Sequence, residues 1–124
     1  MLALPAGAST KQGTCAPTTT RLCLLDGRFA LEMTWEDFEG ATGTGNAVTL
    51  TSETGYFWFF NPDNVEIVAK TLDGRTINGH FWVFYGALSN VRFTLTVTDT
   101  VTGTSRTYEN PLGSFGSVGD TSAF

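Results

Sequence analysis

Charge is what this sequence has least of. Asp, Glu, Lys and Arg together make up 15% of its 124 residues, well under the quarter or so that is usual in globular domains. Among these few, acids outnumber bases 12 to 7, giving a net charge of −5. Such a surface repels a phosphate backbone, which argues against a nucleic-acid partner. It also lacks the basic stripe of a membrane-surface binder. There is no apolar run of about 18 residues, so no membrane insertion by a helix is expected. No Asn-x-Ser/Thr sequon occurs, and histidine appears once, as His80.

Catalytic constellations are equally sparse. Gly-x-Ser-x-Gly is missing, and the lone histidine sits at the mouth of an aromatic strand, so nucleophilic catalysis has no candidate set. Glycoside hydrolysis needs two carboxylates across a cleft. The candidate acids are Glu32, Glu36, Asp37, Glu39 and Glu66, all on a loop or on polar strand faces, where solvation explains them. Asp73, Asp99 and the Glu36–Glu39 cluster carry oxygens for calcium but have no recognised loop spacing. The expectation is no catalytic residue, no metal and no cofactor.

Cysteine is limited to Cys15 and Cys23, eight positions apart. They form no Cys-x-x-Cys pair and have no neighbouring histidine, which disfavours zinc. An intramolecular disulfide between them is expected. Closing so short a loop adds about 2–3 kcal/mol in the chain-entropy picture, and such a bond belongs to an oxidising compartment. The opening residues, with Ala6-Gly7-Ala8 in the small-x-small form of a cleavage site, are compatible with a secretory remnant. Location outside the cell or on its surface is expected.

What the sequence has in quantity is aromatic, Thr and Gly residues, with ten Phe, three Tyr and three Trp. Aromatic and β-branched enrichment favours strands. Residues 1–21 stand apart as a small, polar, Pro-containing arm, and residues 22–124 form one β domain. Arg28–Trp35 alternates strictly, with Phe29, Leu31, Met33 and Trp35 on one face. Arg92–Thr98 does the same with Phe93, Leu95 and Val97. These seven are expected to point into one core. Asp26-Gly27 before the first of these strands and Asp99–Gly103 after the second mark turns. Further strands are expected at Leu22–Leu25, Ala47–Thr51, Tyr56–Phe60, Val65–Leu72, His80–Tyr85, Thr104–Glu109 and near the C-terminus. Glu36–Asn46 reads as a loop. The fold class is all-β: an antiparallel β-sandwich of Ig-like or Greek-key type with about eight strands and an extended N-terminal arm.

Several elements together are familiar. They are Leu22-Cys23-Leu24 with Asp26-Gly27-Arg28-Phe29, Gly55-Tyr56-Phe57-Trp58-Phe59-Phe60, Asn64-Val65-Glu66, Lys70 with Asp73-Gly74, Asn78-Gly79-His80-Phe81-Trp82-Val83-Phe84, Thr96-Val97-Thr98-Asp99-Thr100 with Gly103, and Tyr108 with Asn110-Pro111. The set resembles a small β-sandwich domain recurring in secreted and cell-surface proteins of environmental bacteria. The resemblance runs from residue 22 nearly to the end. It implies an extracellular β domain and carries over no catalytic residue.

The two aromatic runs hold the functional information. On a strand, Tyr56, Trp58 and Phe60 share one face and Phe57 and Phe59 the other. Trp82 and Phe84 likewise oppose Phe81, Val83 and Tyr85. One face belongs to the core, so the second aromatic face needs a cover or a ligand. Two readings follow. In the first, the chain is a non-enzymatic extracellular structural domain. It assembles as a homo-oligomer, filament or surface subunit through an arm anchored by Leu2, Leu4 and Pro5, which adds to a neighbour. In the second, it is a carbohydrate-binding module whose glycan partner stacks on Tyr56, Trp58 and Trp82.

Overall fold

The structure is a computed structural model that describes residues 13–124. Among these residues the chain forms ten strands in two antiparallel sheets packed face to face, an all-β sandwich as expected. The first sheet contains β1 (Leu22–Leu24), β2 (Phe29–Glu36), β3 (Thr42–Thr44), β8 (Arg92–Asp99) and β9 (Ser105–Asn110). β2 pairs with β8 along its whole length on one side, and with β1 and then β3 on the other. The second sheet runs β4 (Asn46–Thr49), β5 (Thr54–Trp58), β6 (Ile67–Gly74), β7 (His80–Ala87) and β10 (Ser117–Asp120) side by side in that order. From β7 the chain crosses to β8, turns into β9 and crosses back, so that β10 lies beside β7. That return of a fourth strand to the first is a Greek-key path spread over both sheets.

Alternation sets the core. Phe29, Leu31, Met33, Phe93, Leu95 and Val97 are all buried, facing Phe57, Ile67, Ala69, Val83 and Tyr85 from the second sheet. Trp35, the last of the inward residues on β2, is only half-buried, because β2 runs out of the sandwich there and the ring lies at its end. The open margin between β9 and β10 is clasped by Tyr108, whose hydroxyl donates to Asp120 at 2.7 Å. Burial, and then the Asp120 carboxylate, push that phenol well above its ordinary pKa.

Three local features depart from the sequence reading. The segment read as a loop, Glu36–Asn46, contains β3, which continues the β2 ladder through Thr34↔Thr44 and Glu36↔Thr42. Gly43 is required between them, since a Cβ there would sit 2.4 Å from the Trp35 ring. The polar stretch after β6 folds into one helical turn, α1 (Arg75–Asn78), closed by Gly79 at φ 81°. The first aromatic strand also stops at Trp58, and Phe59 and Phe60 lie beyond its end.

Candidate binding surfaces

The sandwich has two ends. One carries the turns 25–28, 50–53, 74–80 and 99–104 and the last residue, Phe124. The other carries the loops 37–41, 59–66, 88–91 and 111–116. Residues 13–15 root the N-terminal arm at the first end. Gly13 N–H donates to Asp26 O, Cys15 N–H to Gly27 O, and Thr14 N–H to Thr100 Oγ1. Cys15 and Cys23 are joined as a disulfide with Cα atoms 5.8 Å apart. The turn beneath them holds Leu25, Asp26 and Gly27 all at positive φ. Leu2, Leu4 and Pro5 lie outside the described residues.

The outer faces of the two sheets differ in kind. On the first sheet, Glu32, Thr34, Thr94, Thr96 and Thr98 face out, as a wetted sheet face requires. On the second, Val48, Tyr56 and Val68 form one cross-strand row that continues through Gly86 to Ser117. Lys70 and Phe84 pair in the next row, and Leu72 and Trp82 in the one after. Tyr56, Trp58, Trp82 and Phe84 are all half-buried here, so the rings named from the sequence do share one face. Row spacing along a strand is about 6.7 Å and strand spacing about 4.8 Å. Trp58 and Trp82 therefore stand roughly 20 Å apart, at the ends of a diagonal aromatic stripe. Gly86 leaves a depression of about 340 Å³ in the middle, walled by Val68, Lys70 and Phe84. The indole N–H of Trp82 donates to Asn78 Oδ1 at 2.8 Å, which fixes its ring over Gly74.

The end opposite the arm's root shows what the sequence reading missed. Phe38, Phe60, Leu88, Leu112 and Phe115 all lie in its loops, with exposures of 60, 53, 65, 38 and 65%, and the turns of the arm-root end expose Leu50, Ile77 and Val101 as well. These loops are pinned. Asp37 Oδ1 accepts from the N–H of Glu39 and Ala41, and Asn61 Oδ1 from that of Asp63. Buried Asn110 donates to the carbonyls of Val91 and Ser114 and accepts from Gly116 N–H. The edge of Phe60 meets the Trp35 ring at 4.7 Å. The apolar side chains are thus displayed by rigid turns. A signal was present in the sequence: each sits in a segment built of Gly, Asn, Pro or Ser, where large apolar residues have no core to enter.

The histidine and all of the acids weighed for chemistry except Glu39 have structural partners. Asp99 is paired with Arg28, Asp73 with Arg75, Glu32 with Arg21 and Glu36 with Arg92. Glu66 is buried and accepts from Asn64. His80 Nδ1 faces the Phe124 carbonyl at 3.2 Å. Among the described residues, no three His, Cys, Asp or Glu side chains converge as a metal site. No helix there is long and apolar enough to cross a membrane. No protein-family model, curated protein or solved structure matches this chain.

Proposed function

We propose that this chain is a non-enzymatic extracellular structural domain that self-assembles through its N-terminal arm, as the subunit of a filament or surface layer. One observation carries the reading: the arm's root is locked at one end of the sandwich by three hydrogen bonds and a disulfide. A segment fastened so firmly at its base has a fixed point of departure, and its sequence offers Leu2 and Leu4 as anchors. The doubly apolar second sheet supports the reading, since a subunit in an array has faces to cover. The disulfide and the bacterial surface-domain resemblance support placement outside the cell. The structural employment of His80, Glu32, Glu36, Glu66, Asp73 and Asp99 supports a non-enzymatic role. Purified chain imaged by negative stain should show polymers or discrete oligomers, and a uniform field of monomers would contradict the proposal.

The second reading, a carbohydrate-binding module, is favoured by the diagonal stripe on the second sheet. Flat rings at Tyr56, Trp58 and Trp82 offer stacking surfaces for pyranose faces, while Lys70, Asn46 and Asn78 supply polar groups at the margin. Retention of the monomer on immobilised polysaccharide, and its loss in Trp58→Ala, would favour this reading over assembly.

A further inference from the structure

We propose that the arm-root end of the sandwich holds a binding pocket for a singly charged carboxylate carried on a ring, as in an acidic sugar or an aryl acid. The proposal stands apart from both readings above, since it uses neither the outer aromatic face nor a second copy of the chain. Three of the chain's seven Lys and Arg side chains, Arg28, Arg75 and Arg106, meet around one cavity of about 310 Å³. That volume lies at the lower end of small-molecule sites. The three come from the β1–β2 turn, α1 and β9, so only the fold gathers them. In a chain of net charge −5, this gathering makes a local positive field that attracts an anion.

The charges are held in place before any ligand arrives. Arg28 grips Asp99, and Arg75 grips Asp73, each through Nε and Nη2. Both guanidinium groups also lie over the Phe81 ring, at 4.3 and 4.4 Å from its centroid. Each leaves its Nη1 edge without a protein acceptor among the described residues, and that of Arg28 stays open to solvent although the side chain is only 11% exposed. Arg106 is different. It pairs across the ladder with inward-facing Val97, so it projects to the core side of β9, and its guanidinium carbon stands 5.3 Å from the Phe124 ring centroid. Nη1 donates to the Ser105 carbonyl, and no acid pairs with Arg106 among the described residues. An inward charge protects a sheet edge, but edge protection calls for neither two further guanidinium groups nor a cavity between them. The side chains of the three arginines and two aspartates sum to one positive charge, which matches a monoanion. A guanidinium fork takes a carboxylate through two parallel hydrogen bonds. The half-buried Phe124 ring offers contact for the body that carries it, and Thr102 and Thr104 line the same cavity with hydroxyls.

The test is isothermal titration calorimetry of the full chain with sodium galacturonate, sodium benzoate, galactose and sodium sulfate. At least one of the two carboxylates should bind saturably, one per chain, and the tighter one identifies the source of the acid. Galactose and sulfate should bind about tenfold more weakly or worse. Arg106→Gln should weaken the bound carboxylate by about tenfold or more, and Arg106→Lys, which keeps the charge without the fork, should weaken it by less. Arg106 is exposed, so both variants should fold, which far-UV circular dichroism checks. If neither carboxylate binds the parent chain, the proposal fails whatever the variants do. Galactose binding as tightly as galacturonate would mean that the site reads hydroxyls. Sulfate binding as tightly as either acid would mean that the cluster attracts anions without selecting them. Undiminished affinity in Arg106→Gln would place the carboxylate elsewhere. Any of these overturns the proposal, and none of them bears on assembly.

Discussion

Arg28 and Asp99, 71 positions apart in the chain, face each other through two parallel hydrogen bonds: Nε to Oδ1 at 3.0 Å and Nη2 to Oδ2 at 2.8 Å. The pair ties the β1–β2 turn to the end of β8, and Asp99 is almost completely buried. Thr100 closes the same junction by donating from its hydroxyl to the carbonyls of Gly27 and Arg28. The arm's root lies directly on this junction.

The pair predicts acid sensitivity. Burial raises the Asp99 carboxyl, but the Arg28 hydrogen bonds, the Val101 N–H and the Arg28 charge outweigh it, so its pKa falls below the ordinary 3.8. A depressed folded-state pKa stabilises the fold above the unfolded value and is lost as pH falls through the folded one. Denaturant titrations should show stability level above about pH 5 and declining below pH 4. Asp99→Asn should flatten that decline and cost about 3–5 kcal/mol at neutral pH, because it leaves Arg28 buried without its partner.

The disulfide predicts a local effect. Replacing Cys15 and Cys23 together with Ser should lower stability by about 2–3 kcal/mol. The sheets should persist, since neither cysteine belongs to the inward-facing set. Hydrogen exchange should speed up at the N–H groups of residue 15 and Gly13, which are bonded to the turn beneath. Unchanged exchange there would show that the hydrogen bonds alone hold the root.

Trp82 is set by a glycine. A Cβ on Gly74 would lie 2.1 Å from the indole ring, so Gly74→Ala forces the ring off its seat. The expected cost is about 1–3 kcal/mol, with a shift in tryptophan emission as the bond to Asn78 breaks. Gly86→Ala is the control: its Cβ would meet nothing, so stability should hold while the depression on the aromatic face fills.

The alternating strands were the most legible part of the chain, because a period of two with Phe, Leu, Met and Val against Glu, Arg and Thr admits one inward face. The short β3 was not, since Thr42-Gly43-Thr44 is a strand only by pairing with β2, and its Gly43 serves the Trp35 ring rather than any local propensity. Similarly, Tyr56, Trp58 and Trp82 could be assigned to outer faces one strand at a time. Their placement on a shared stripe depended on a strand order that no local pattern encodes. The exposed apolar residues Phe38, Phe60, Leu88 and Phe115 were hidden for the same reason: they lie in four separate loops, and only the fold brings those loops to one end of the sandwich.

Sedimentation velocity on the full-length chain and on the chain lacking residues 2–12, across a concentration series, tests the central claim most directly. Full-length protein should sediment as a distribution that grows heavier with concentration, and the truncated chain as a single folded species near its monomer mass. A full-length chain that remains monomeric throughout, or a truncated chain that assembles as readily, would contradict assembly through the arm and leave the aromatic stripe as the functional surface.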